Sequence, residues 1–395
     1  MADRSFLEWP FLEDQHRVLA AELDAWCIAN LPVDHNNVDA ACCDLVSRLG
    51  ADGWLRHSAN LDRPALDVRA LCLIRETLAR HDALADFAFA MQGLGMGPVS
   101  LFGDEYHRQW LSRTTKGTAI AGFALSEPAS GSDVANLATT AARDGDGWVV
   151  NGEKTWISNG GIANIYTVFA RTGDGPGAKG LSCFLVPADT EGLTVEERID
   201  VIAPHPLARL AFTDMRLPAN ALIGKSGKGF GIAMSVLDVF RSTVGAAALG
   251  LARRALDEAL SRVSNRFLFG APLAEMQTVQ ASLAEMALDV DSAALLIYRA
   301  AWTKDLGAAR ISREASMAKL HATEIAQKVI DKALQLHGGD GVRSGQVIEK
   351  LYREVRALRI YEGASEVQKQ IIAKQMLSSF EAVSYTHLTL PTNGC

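Results

Sequence analysis

The sequence predicts an α+β, mainly α chain in three parts. These are an N-terminal helical domain (1–115), a central antiparallel β domain (116–226) and a C-terminal helical bundle (227–378). A tail over 379–395 reads as disordered or non-native. Three observations carry this expectation. Apolar residues recur at helical spacing at both ends, the middle breaks into short β-prone runs, and no helix-length pattern lies between those runs.

In the first part, Ala20, Ala21, Leu23, Trp26 and Cys27 mark one helical stripe, and Leu71, Ile74, Leu78 and Leu84 another. Gly50, Gly53, Gly93 and Gly95 read as loop punctuation. The texture changes near Lys116. Residues 120–125, 148–150, 165–170, 181–186 and 208–212 read as strands, and Asn151-Gly152 as a turn. Past Gly229 three long stripes follow: Ala248 to Leu260, Leu283 to Ile297, and Ile325 to Leu336. From Ser384 the helical period is lost, as expected for a frayed or foreign end.

Composition narrows the function. Hydrophobic residues make up 48% of the 395 and charged residues 22%, enough for a sizeable core. A net charge of −7 argues against a general nucleic-acid surface. The six cysteines form no CxxC pair, so reduced structural thiols are expected and no metal site. No apolar run of membrane-spanning length appears, and the N-terminus resembles neither a signal nor a transit peptide. A cytoplasmic protein is the expectation.

Three segments carry chemistry. In GFALSEPASGSDV (122–134), a strand ends at Ser126 and a turn over Pro128 to Gly131 leads to Ser132, whose hydroxyl and amide suit a pyrophosphate. An ordinary polar hairpin would read the same way. In NGEKTWISNGG (151–161), Trp156 could be core or could stack on a flat cofactor, with Ser158 donating to it. The other segment is IYEGASEVQ (360–368), where a carboxylate stands between an aromatic ring and a glycine. A lone loop glutamate is ordinarily solvated; this setting marks Glu362 as a candidate base.

Over 120–170, 229–300 and 325–377 the sequence resembles the acyl-CoA dehydrogenase family, and 1–119 is compatible with it. The resemblance implies a helical domain, a β domain and a four-helix bundle, assembled as a homotetramer, or at least a dimer. It implies FAD as cofactor, held by Phe123, Leu125, Ser126, Gly131, Ser132, Trp156 and Ser158. Arg266, Phe269 and Gln277, with Gln335, Gly338 and Gly339, would reach FAD of a neighbouring subunit, and Glu366 joins the cofactor set. Glu362 would take the α-proton of an acyl-CoA thioester whose carbonyl bonds its backbone N–H. Tyr361, Gly363, Arg241 and Asp238 would shape the substrate site. Electrons would pass to an electron-transfer flavoprotein.

Some positions depart from the family pattern. Ala364 stands where a threonine often bonds FAD, and Phe240 where some members carry an alternative base. His205-Pro206-Leu207 replaces small hydroxyl residues at the CoA entrance, so a carrier-protein thioester is an alternative, and His205 is either a phosphate ligand or a loop-holding residue. Residues 87–99 would line the acyl pocket, with Gly93 and Gly95 either making room for a bulky acyl group or forming a loop. An oxidase on the same fold and a non-catalytic flavin-bearing binding protein are the competing functions.

Overall fold

The computed structural model describes residues 3–61, 65–173 and 175–387. Helices α1 (Asp14–Asn30), α2 (Val38–Ala51), α3 (Val68–His81), α4 (Ala83–Phe102) and α5 (Glu105–Thr115) come first. Their starts follow from sequence. The side chains of Asn37, Asp67, Asp82 and Asp104 accept backbone N–H groups in the first turns of α2 to α5.

An eight-stranded sheet follows: β1 (Ala121–Ala124), β2 (Thr140–Asp144), β3 (Gly147–Ser158), β4 (Ile165–Arg171), β5 (Leu181–Pro187), β6 (Leu193–Arg198), β7 (Leu207–Leu217) and β8 (Leu222–Ile223). Its order is β6-β7-β3-β2-β4-β5-β8, with β1 on β4. Most pairs are antiparallel as expected, but β1 runs parallel to β4 and β2 meets β4 in one parallel pairing. The β1-to-β4 crossover is the β2–β3 hairpin instead of a helix, so the absence of a helical stretch did not exclude a parallel pair. Strand β6 was not anticipated, because it is a largely exposed edge strand with charged residues and no alternation.

Asn151-Gly152 is not a turn. It lies inside β3 at a register shift, where Asn151 exchanges bonds with Asp214 across the sheet at 3.1 and 2.7 Å. The hairpin turn is Gly145-Asp146.

The last part holds α6 (Gly229–Asn265), a small hairpin of β9 (Phe267–Leu268) and β10 (Ala271–Pro272), α7 (Gln277–Asp305), α8 (Ser312–His337), α9 (Val347–Leu358) and α10 (Ser365–His387). Helix α6 packs against α8, α7 and α3. Among the described helices it alone is long and apolar enough to cross a membrane, but 89% of its most apolar window is buried inside the protein, which marks a core helix. Helix α10 runs to His387, past the point where the period fades; residues 388–395 of the expected tail lie outside the described residues.

Gly93 and Gly95 are not loop residues; both lie within α4. A Cβ on Gly93 would meet the Phe240 ring at 2.7 Å, and one on Gly95 would meet Ala121 at 2.8 Å. Their smallness admits α6 and β1 against α4, so the room they leave is filled by the protein itself. Gly50 likewise ends a helix, with the backbone of Lys116-Gly117 against it.

Candidate active site

Glu362 sits in the short link between α9 and α10. Its φ is 52° and that of Gly363 is 98°, two consecutive left-handed residues. A non-glycine residue there stores of the order of 1–3 kcal/mol of strain, so its surroundings must hold it. They do. The Tyr361 N–H bonds Ala357 at 3.1 Å, and the Ser365 N–H bonds Arg359 at 3.2 Å. The Gln368 amide donates to the carbonyls of Glu362 (3.3 Å) and Gly363 (2.9 Å). Lys319 Nζ donates to the Gly363 carbonyl at 2.7 Å. A Cβ on Gly363 would fall 2.3 Å from the Gln368 amide nitrogen, at a φ that residues with side chains rarely adopt.

Glu362 is half-buried. Its Oε2 is shut off from solvent and has no hydrogen-bond partner. Its backbone N–H donates to no acceptor among the described residues. Burial pushes its pKa up to about 7; the cations of Arg75, Lys319 and Arg241 pull it back, and Asp86 pushes the same way as burial. A carboxyl whose pKa is raised to about 7 can take up a proton, and the unclaimed amide beside it can hold an oxygen.

Arg241 lies beside this loop, its Nε 4.0 Å from where a Gly363 Cβ would be. It bonds Asp238 at 3.2 Å, and Asp238 is fixed by the Ser312 hydroxyl at 3.0 and 3.1 Å. Arg241 Nε is enclosed and unpartnered. The structure therefore brings Glu362, Gly363, Arg241 and Asp238 together, with Tyr361 adjacent in the same loop.

The β-domain residues form a second group. Phe123 and Leu125 continue from β1 to Ser126, whose carbonyl takes the Thr155 N–H at 3.0 Å and so ties the segment to β3. Strand β3 shifts register against β7 between Lys154 and Ile157, and Trp156 has φ 60°. This bulge turns Trp156 outward, leaving it 59% exposed, with Ser158 two residues on. Gly131 and Ser132 are exposed, and their N–H groups meet no protein acceptor among the described residues. A flat ring with a phosphate suits an outward indole, free hydroxyls and free amides.

A third group lies elsewhere. Arg266 and Phe269 are on the turn after α6, with Phe269 95% exposed, and Gln277 begins α7. Gln335 is in the last turn of α8, and Gly338 and Gly339 follow its end. Arg262 joins the two ends by bonding the His337 carbonyl at 3.1 Å and Asp340 at 3.0 Å. Arg241 lies within α6 and Arg266 just past its end, about 38 Å away along the helix axis. One chain thus does not bring this group to Glu362.

Two family profiles match the chain: "Acyl-CoA dehydrogenase, middle domain" over 122–215, and "Acyl-CoA dehydrogenase, C-terminal domain" over 227–377. The mitochondrial short-chain specific acyl-CoA dehydrogenase of Bos taurus is 41% identical over 343 residues, covering 85% of this chain and 83% of that protein. The chain belongs to the acyl-CoA dehydrogenase family. It is accordingly an oxidoreductase. The butyryl-CoA dehydrogenase structure from Megasphaera elsdenii superposes with TM-score 0.84 at 29% identity, over 93% of this chain and 99% of that one. PigA with FAD and proline gives 0.87 at 25%, over 92% and 98%.

Within this family frame, Glu366 is an exposed first-turn residue of α10. His205 packs against Phe87 with ring centroids 4.5 Å apart and the rings tilted by 47°, bonds the Ala203 carbonyl at 3.1 Å and is kept below its ordinary pKa by burial. These contacts favour the loop-holding role over the phosphate ligand. Among the buried ion pairs that sequence reading missed, two stand near the residues above. Lys154 bonds Glu127 at 2.7 Å and the Leu125 carbonyl at 3.0 Å, and Glu127 also takes the N–H groups of Ala138 (2.6 Å) and Thr139 (3.0 Å). Arg75 grips Asp86 through two bonds of 2.8 and 2.9 Å and donates to Thr243 at 3.0 Å. A charge within a strand or helix pattern was the available signal, and it reads ordinarily as a solvated face.

Proposed function

We propose that the chain dehydrogenates an acyl-CoA thioester between its α and β carbons, with Glu362 as the base. The supporting observation is the enclosed, unpartnered Glu362 oxygen beside a free Glu362 N–H. The N–H holds the thioester carbonyl and stabilises the enolate charge, while the carboxylate removes the α-proton. FAD, when bound, supplies the acceptor for the hydride leaving the β-carbon. Trp156, Ser158, Ser126 and Phe123 would hold its ring system, and Gly131 and Ser132 its phosphates. The acyl group is short: the Bos taurus relative is named for short chains, and Phe240 fills the space against Gly93. The deciding experiment is anaerobic titration with butyryl-, octanoyl- and palmitoyl-CoA, following flavin absorbance. Bleaching by butyryl-CoA foremost is expected; no bleaching by any of the three contradicts the reading. An electron-transfer flavoprotein is the proposed acceptor, checked by its reoxidising the reduced protein faster than air does.

The base must be ionised to act. Its folded pKa is raised to about 7, so kcat/KM should fall as pH drops below about 7. A profile flat down to pH 5 would exclude a base of this kind.

The separation along α6 supports a site completed by a second copy. Phe269, exposed in one chain, would cover the cofactor of its neighbour. Phe269→Ala should then weaken FAD binding about 2- to 10-fold, read by fluorescence titration of the apoprotein. The acid limb near pH 7 should stay where it is. Unchanged FAD affinity would place Phe269 outside the site.

A further inference from the structure

Among the described residues two lysines are fully buried, Lys154 and Lys319. Lys154 has its carboxylate, Glu127. Lys319 is in no ion pair among the described residues; the one hydrogen bond of its ammonium among them goes to a neutral carbonyl, that of Gly363. A buried ammonium without a paired carboxylate is costly and is kept where its charge has use. Its position supplies the use. From α8 it reaches the residue after Glu362, on the same carbonyl that Gln368 also grips.

We propose that Lys319 is a positioning residue for Glu362, fixing the strained loop through the Gly363 carbonyl and keeping a positive charge behind the carboxylate. This rests on the reading of Glu362 as the base. The division of labour follows from the two donors on Gly363. Gln368 is neutral and supplies geometry alone; Lys319 supplies geometry and charge. The charged groups around Glu362 are Arg75 on α3, Asp86 on α4, Arg241 on α6 and Lys319 on α8. Those around Lys319 are Glu362, Arg241, Glu324 on its own helix and Glu366 on α10. Arg75 is already neutralised by two bonds to Asp86 and Arg241 is bonded to Asp238, so Lys319 is the cation of the three without a carboxylate of its own. Burial brings the Lys319 pKa down to about 8, with the negative charge of Glu362 the first of the influences that hold it up.

The test uses FAD-loaded Lys319→Met and Lys319→Arg proteins, with the acyl-CoA of the three that best bleaches the wild type. In Lys319→Met the acid limb of kcat/KM should move up by about one pH unit, roughly a tenfold loss below the limb, with KM changed little. Lys319→Arg, which keeps the charge, should return the limb towards the wild-type position. A merely structural lysine would lower the melting temperature and flavin content without moving the limb, and an unmoved limb in folded Lys319→Met overturns the proposal. If that variant does not fold, Lys319→Gln gives the same comparison. If neither folds, the coupling is read from the other side: the Lys319 ε-carbon resonance should titrate at lower pH in Glu362→Gln than in wild type, and equal titration overturns the proposal. Loss of activity in Glu362→Gln together with an unmoved limb rejects the Lys319 inference alone; retained activity in Glu362→Gln rejects the base assignment itself.

Discussion

Glu362→Gln should keep its bound flavin and lose substrate-driven bleaching by about 10³-fold or more, as expected when a positioned base is removed. The amide is nearly the same shape, so the loop held by Gln368 and Lys319 has no reason to open. What it lacks is a lone pair basic enough to take an α-proton. Stopped-flow absorbance under anaerobic conditions measures the loss directly. The same variant carries a stability signature of known sign. Because burial raises the folded pKa above the unfolded value, the charged form opposes folding at pH above about 7, and this group's penalty disappears as pH falls towards the usual carboxylate range. Glu362→Gln removes the penalty, so its melting temperature at pH 8 should equal or exceed that of wild type. A variant that both bleaches normally and melts lower would place Glu362 among the structural residues.

The parts legible in sequence were those whose signal is local. The helical stripes predicted the terminal parts because apolar spacing depends on one element alone. The strands at 165–170 and 181–186 became β4 and β5 because both are buried on both faces and β-rich. Glu362 could be singled out as a candidate because its motif is contiguous. What was illegible depends on a partner far along the chain. Asn151-Gly152 carries turn chemistry, but Asp214, 63 positions on, claims the Asn151 side chain and makes the pair a bulge. Gly93 and Gly95 look like loop formers until Phe240 and Ala121 occupy the spaces they leave. Lys154 and Lys319 look like surface charges, and only the fold buries them.

Glu127→Ala is the substitution expected to damage the fold most. Glu127 meets one buried cation and two backbone amides, so truncation orphans three donors at once. Removing one partner of a buried ion pair costs about 3–5 kcal/mol, and the unpaired amides add to it. The loss has a direction in pH. Burial already brings the Lys154 pKa down to about 8, with Glu127 holding it up; without Glu127 it falls further, and the folded variant carries a neutral lysine. The unfolded chain still binds that proton below its ordinary pKa. The variant's stability should therefore rise with pH from about 7 towards 10 more steeply than that of wild type, read as the urea midpoint at each pH. Replacing both partners, Glu127→Leu with Lys154→Met, should recover part of the loss because no buried charge remains. The damage should also reach the cofactor segment, since Lys154 bonds the Leu125 carbonyl one residue before Ser126, and the bulge presenting Trp156 begins at Lys154. A Glu127→Ala protein with unchanged urea midpoints across this pH range would mean that Lys154 finds water or another acceptor, and that the loop from Ser126 to Ser132 is held by its backbone bonds alone.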